Sequence, residues 1–511
     1  MKGMNRFSEK VQRFCIRAVW LVVLCIVGIF AAAGLFTHSK LRSMEVIVHA
    51  PASPLLQLGA GVLMILLLAG LTAVIGRNKR LRITVITVWA FAAAWFAYHV
   101  DIRQVMDFET VCGAAQRFAV GSYHALEGDY FHACSYQLGT CLMLEIVCRL
   151  LPGISLELFM RVANAVMSGA TMLILTGLGG VVCGDQKAES AASAMYLLCL
   201  TVPLYCVYVY GTIPMMFLCA CAFLCFALYV RRRAVWFGLG WVILAAVAYM
   251  IKPNAAIALA ALVICAVVDV LVSRDKRMFL FALLAVVLSV GLSRGAVMQY
   301  EIRSGIKLRE NVSMISRLTM GLQESWMGAG WYNDYINQFF PAEVTAEMER
   351  EIASADLKAR VGELAGDPGM ATSFFGRKAG SQWLEPTYST LNYGYNQKFY
   401  WPENEQAPWV LALYEQDGRL RLALEGIMKA WQQALYMLAA IGLLYNWKRA
   451  DDAAWLLLPL VVLGGFLYHM IFEAKSQYIY VYMVYLVPVA AQGLCEAEKL
   501  IRMTIGRMKE R

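Results

Sequence analysis

What most constrains this chain is a recurring apolar run of about twenty residues, broken by short charged connections. Twenty residues of α-helix rise roughly 30 Å, the thickness of a bilayer's hydrocarbon core. Backbone immersed in lipid must satisfy its own hydrogen bonds, so such runs are helices. Of the 511 residues, 60% are hydrophobic and 16% charged, too few polar groups to clothe a soluble globule of this size. Spans are expected at 17–37, 55–76, 82–99, 156–182, 189–207, 213–231, 234–250, 254–272, 278–297, 428–446, 452–471 and 477–496. The expectation is an all-α polytopic membrane protein with about 12 transmembrane helices.

The connecting charges set the orientation. "GRNKRLR" (76–82), "VRRR" (230–233), "SRDKR" (273–277) and "NWKR" (446–449) all follow even-numbered spans, and the tail "EKLIRMTIGRMKER" is basic too. Lys and Arg beside membrane helices favour the cytoplasm, so these loops and both termini are expected inside a cell membrane. This accounts for the net charge of +9 without nucleic acid. The basic start leading into the first apolar run fits a retained anchor better than a cleaved signal. The 14 cysteines mostly sit inside apolar runs and read as small apolar residues.

One segment, "YQLGTCLMLEIVCRLLPG" (136–153), has the apolarity of a span but carries Glu145 and Arg149 four residues apart. Burying such charges at the bilayer centre costs about 2.5–3.5 kcal/mol each. Counting it as a span would also turn every later basic loop outward. It is therefore expected as an amphipathic helix lying in the outer interface. Three regions follow: a transmembrane module at 1–297 with a large outer loop at 100–155, a mainly α extracytoplasmic domain at 298–427, and C-terminal helices with a basic tail at 428–511.

This topology gathers polar residues on the outer face. They are Asp107, Glu109, Asp129, Tyr210, Lys252 and the group His469, Glu473 and Lys475. Taken singly, each is ordinary for a helix end, where lysines snorkel and tyrosines form belts. Taken together they come from different hairpins and can face one cavity, and ionisable groups converging at membrane level mark a site by default. The stretch "SWMGAGWYNDY" (325–335) adds Trp326, Trp331 and Tyr332, side chains suited to sugar faces, and its glycines would permit a mobile lid.

The outer loop "MDFETVCGAAQRFAVGSYHALEGDYFHACSYQLG" (106–139) resembles the first outer loop of the GT-C superfamily of polytopic glycosyltransferases, in particular bacterial members related to glycosyltransferase family 39 and the protein O-mannosyltransferases. Asp107, "GAA" (113–115), "GDYF" (128–131) and "SYQLG" (135–139) stand in the family's order. "IKPN" (251–254), "MGLQESWMGAGWYNDY" (320–335), "GSQWLEPTY" (380–388) and "FEAKSQYIYVY" (472–482) extend the similarity over most of the chain. Two departures stand out. Phe108 separates the acids Asp107 and Glu109, which are adjacent in many relatives, and "CSYQLG" lacks a proline.

The resemblance implies an inverting hexosyltransferase that moves a monosaccharide from a polyprenyl phosphate to an envelope glycan, lipid or protein. Asp107 would be the base, with Glu109 beside it. A carboxylate next to an acceptor hydroxyl contributes typically ~10²–10⁴-fold, and growing charge on a leaving phosphate calls for cations. Lys252, Lys475, Arg149 and Arg161 are the candidates for the phosphate. Asp129, Tyr136, Gln137, Trp326, Trp331, Tyr332, His469 and Glu473 are the candidates for sugar and acceptor. No P-loop or dinucleotide fingerprint argues for a nucleotide cofactor, and no carboxylate cage demands a metal. A transporter or flippase of lipid-linked sugars, or a non-catalytic glycolipid-binding relative, is the alternative.

Overall fold

The computed structural model describes residues 2–102, 104–309, 311–341, 343–392, 407–447, 449–450 and 452–509. Helix α1 (Lys2–Phe36) leads into a hairpin of β1 (Thr37–Leu41) and β2 (Ile47–Pro51), paired antiparallel with His38 opposite Ala50. Helices α2 (Pro54–Ile75) and α3 (Lys79–His99) follow, and then the short helices α4 (Asp107–Ala119), α5 (Asp129–Ala133) and α6 (Leu138–Leu150). The next group is α7 (Leu156–Cys183), α8 (Gln186–Leu197), α9 (Thr201–Tyr205), α10 (Thr212–Arg232), α11 (Val235–Ile251), α12 (Ala256–Ser273) and α13 (Lys276–Ser304). The segment between α13 and the last three long helices holds α14 (Met314–Leu322), α15 (Ala346–Gly366), α16 (Pro368–Trp383) and α17 (Pro408–Tyr414). Three long helices close the chain: α18 (Arg419–Asn446), α19 (Ala453–Ile471) and α20 (Ser476–Lys509).

Among the described residues, ten helices are long and apolar enough to cross a membrane: α1, α2, α3, α7, α10, α12, α13, α18, α19 and α20. The chain is an all-α multi-pass membrane protein. Two expected spans look different. α11 is apolar but only 17 residues long. The stretch 189–207 is not one helix, because α8 ends at Leu197 and α9 begins at Thr201. Pro203 fits the break: its ring lacks an N–H and would meet the carbonyl four residues back, at Cys199, which kinks or ends a helix, although α19 and α20 run on through Pro459 and Pro488.

Ion pairs tie the basic connections together at one end of the bundle. Arg82 meets Glu189, and Lys187 meets Glu498. Arg231 reaches Asp452 at 2.6 Å and Arg233 reaches Asp269 at 2.5 Å. Lys448 and the last two residues of the tail lie outside the described residues. The opposite end carries the hairpin, the short helices α4–α6 and the helices α14–α17. α8 and α9 lead from one end to the other, since Glu189 touches Arg82 while Val207 and Val209 bond Gln104, beyond the far end of α3.

α20 is the central post, with 94% of its membrane-level stretch buried. It packs closely on α18 because two glycines let the backbones touch. A Cβ on Gly442 would stand 2.2 Å from the Val489 carbonyl, and one on Gly493 would stand 1.8 Å from that of Leu438. Without a hydrophobic drive inside lipid, such close backbone packing is a main source of helix association.

Candidate functional site

The site begins with a strained residue. Met106 has φ +53°, a left-handed value unusual for a residue with a Cβ, and it directly precedes Asp107. Asp107 opens α4, where the positive end of the helix dipole favours an anion. The apolar face of α4 (Phe108, Val111, Cys112, Ala115 and Phe118) is buried, so Asp107 and Glu109 are left exposed on its first turn.

Two motifs that lie far apart in sequence meet beneath Asp107. "SYQLG" supplies Gly139, where a Cβ would stand 1.7 Å from the Met250 carbonyl, so only glycine lets α6 press against the end of α11. Thr140 Oγ1 donates to the Ile251 carbonyl at 2.6 Å. Pro253 disfavours helix at the residue before it, and Lys252 is accordingly extended, at φ −148° and ψ 118°. The buried Lys252 Nζ sits 3.8 Å from the centroid of the Tyr210 ring, a cation–π contact. The Phe108 ring meets Tyr210 edge-on at 4.9 Å, and Gln137 Nε2 donates to the Tyr210 hydroxyl. Burial lowers the Lys252 amine to about 7, and the charge of Asp107 opposes that shift.

The "FEAKSQY" segment faces the same cluster. Burial pushes the Glu473 carboxyl above the usual glutamate value; Lys475 and Arg317 pull it back, while the Asp107 charge adds to the rise. Lys475 pairs at 2.7 Å with Glu45, which lies buried in the hairpin turn. His469 is buried, with Nδ1 3.3 Å from the Glu473 carbonyl oxygen and Nε2 3.4 Å from the Tyr482 hydroxyl, so it braces a helix end. A narrow cavity of about 20 Å³ runs inward beside Lys252, between Tyr205, Thr212, Tyr478 and Tyr482.

Three groups join the cluster that sequence reasoning did not single out. Arg317 of α14 lies 5.1 Å over the half-buried Tyr136 ring and reaches Cys134 Sγ at 3.7 Å. Lys378 of α16 is fully buried and donates to the carbonyls of Gly321 and of Phe472, the latter at 2.7 Å. Burial brings its amine to about 7, partly opposed by Glu473. The Tyr130 hydroxyl is buried without a hydrogen-bond partner, and burial and then the Asp107 charge raise its pKa. Arg317 stands in a stretch without a motif. Lys378, only two residues before "GSQWLEPTY", was within reach of the reading.

Other candidates sit elsewhere or are tied into the fold. Arg149 donates to Glu145 at 2.7 Å and to the Phe118 carbonyl at 3.0 Å. Arg161 holds Asp101 at 2.9 Å and the Val100 carbonyl at 2.5 Å. Asp129 turns to Arg309 at 3.3 Å. Trp331 is buried, with Nε1 on Ser381 Oγ at 2.8 Å, and Tyr332 bonds Asn337 at 2.8 Å, whereas Trp326 is 53% exposed. Their loop is stitched down, since Ile47 N donates to the Met327 carbonyl at 2.7 Å and Ala474 N to that of Gly330 at 2.8 Å. Gly330 is required by packing: φ is +71°, and a Cβ would lie 2.6 Å from the Gly321 carbonyl. Among the described residues, no group of three or more His, Cys, Asp and Glu is placed to hold a metal ion.

No family model matches this chain, and no curated protein matches it.

Proposed function

We propose that the chain is a membrane glycosyltransferase of the GT-C kind, moving a monosaccharide from a polyprenyl phosphate to a cell-envelope acceptor, with Asp107 as base. The observation that carries the reading is an exposed carboxylate, Asp107, set after a strained residue and sharing its electrostatic field with the buried Lys252. Asp107 takes the proton of an acceptor hydroxyl as that oxygen attacks the anomeric carbon. The bond from that carbon to the phosphate oxygen breaks, and the phosphate leaves with the electron pair. Attack opposite the leaving group inverts the anomeric configuration.

Lys252 and Arg317 receive the growing phosphate charge, since neither is held in an ion pair among the described residues. Glu473, Tyr136 and Gln137 flank the acceptor side, and the exposed Trp326 is free to meet a sugar face. Lys475, already paired with Glu45, acts by holding the hairpin to the site. In this reading the ten long helices, the short α11 and the broken α8–α9 make twelve crossings. The ion-paired basic end is cytoplasmic, and Asp107 faces outward.

The test uses full-length protein in nanodiscs, supplied with polyprenyl phosphates carrying radiolabelled hexoses and with an envelope extract. Release of polyprenyl phosphate is the readout. Asp107→Asn should lower it by at least about 10²-fold, and release at near the wild-type rate would remove Asp107 as base. One observation favours transport of lipid-linked sugars instead, namely the interrupted crossing at Leu197–Thr201, because transporters bind substrate at broken helices. Residues 190–211, on both sides of that break, include no Lys, Arg, His, Asp or Glu, which favours the enzyme.

A further inference from the structure

A second cavity, of about 200 Å³, lies outside the Asp107 cluster. It opens between β1, the first turn of α2, residues 385–387 and the start of α18. Its charged walls are Lys40, Glu385, Arg421, Glu425 and Lys429, with His38 and Gln57 among the neutral polar groups.

The acids of this wall are already committed. Glu385 accepts from Thr387 N at 2.9 Å, Thr387 Oγ1 at 2.5 Å and Ser389 N at 3.1 Å. Glu425 accepts from Arg421 Nε at 2.9 Å, and Arg421 also reaches the Leu391 carbonyl at 3.3 Å. The lysines are not committed. Among the described residues, neither Lys40 nor Lys429 has a side-chain hydrogen bond or ion pair. Two ammonium groups around one cavity repel each other, and partial burial strips water from them. The charges of Lys429 and Lys40 both act on His38, whose buried Nδ1 lacks a hydrogen-bond partner. Burial, then Lys429 and Lys40, lower its pKa to about 4 and outweigh a bond to the Ala50 backbone, so it stays neutral at pH 7. The same end of the bundle carries an apolar rim, with Leu55 82%, Leu56 73% and Phe36 63% exposed.

We propose that this cavity is a second ligand site, which takes a phosphate-type anion between Lys40 and Lys429, with Gln57 and His38 Nδ1 as hydrogen-bond partners. A phosphate oxygen placed there relieves the lysine repulsion and fills the unmet hydrogen bond. The anion is free phosphate or the head of a lipid whose chain lies along the apolar rim. The site stands whatever reaction Asp107 performs.

The test is amine footprinting of full-length protein in phosphatidylcholine nanodiscs. Labelling is read lysine by lysine by mass spectrometry, with citronellyl phosphate and inorganic phosphate as separate probes. Citronellyl phosphate should slow labelling of Lys40 and Lys429, while the exposed Lys79 and Lys276 at the far end stay unchanged. Protection by both probes assigns the site to phosphate itself; protection by citronellyl phosphate alone assigns it to a lipid head. Lys429→Gln should raise the concentration that half-protects Lys40 by roughly tenfold, and Lys429→Arg should restore it. Lys252 in the same data reports on the Asp107 cluster, so failure at one site is told from failure at the other. Equal labelling with and without either probe, protection that extends to Lys79 and Lys276, or protection undiminished in Lys429→Gln would overturn the proposal.

Discussion

At the scale of single residues, the site rests on a lysine that burial brings to about 7. In the proposed mechanism Lys252, charged below that pH, holds the donor phosphate; it loses its proton, and with it that hold, as the pH rises through about 7. The rate at low donor concentration should therefore fall on the alkaline side, with a midpoint near that value. At saturating donor the fall should move to higher pH, because a bound phosphate stabilises the ammonium. Lys252→Arg should remove the alkaline fall, and a fall unchanged in that variant would exclude Lys252 as its source. Gly139 is a second sensitive point. A Cβ 1.7 Å from the Met250 carbonyl forces α6 off the Lys252 turn, so Gly139→Ala should cost about 1–3 kcal/mol in thermal unfolding. Lys252 was singled out in the sequence because it ends an apolar run, and Asp107 because of the ordered motifs in the loop around it. Arg317 was not, because its place over Tyr136 depends on how α14 folds back, which no local pattern encodes.

At the scale of elements, α6 shows how much a pair of charges decides. Glu145 and Arg149, four residues apart, argued for a helix outside the lipid core, and α6 carries them 2.7 Å apart on one face. The sequence could not reveal that Glu145 also gathers Tyr300, at 2.6 Å, and Arg303 from α13. Burial opposes its charge, but bonds from Arg303, Tyr300 and Arg149 outweigh burial and hold the carboxyl below its ordinary value. Glu145→Gln should cost about 2–3 kcal/mol, less than a wholly buried pair because the arginines are partly exposed. Arg303→Gln should cost more than Arg149→Gln, since their side chains are 23% and 48% exposed; equal effects in thermal unfolding would contradict this. The hairpin at 37–51 went unforeseen, because a short polar link between two spans carries too few residues for an alternating pattern to register.

At the scale of the whole molecule, the all-α bundle was legible because lipid leaves so few choices to a backbone. Helix ends were legible to within a few residues at α2, α3 and α10, whereas Pro203 broke an expected span and α18 began well before its apolar run. The loops that share an end make a further prediction. Cysteines placed at Asn78 and Arg274 should react with an impermeant maleimide only after the cells are opened, and one placed at Glu127 should react in intact cells. Reaction of all three in intact cells would break the proposed orientation. The most direct test of the central claim compares envelope sugars in a deletion strain complemented with wild-type or Asp107→Asn protein at matched levels. The account predicts that one sugar decoration is restored by the wild type and absent with the variant. Full restoration of that decoration by Asp107→Asn would contradict it.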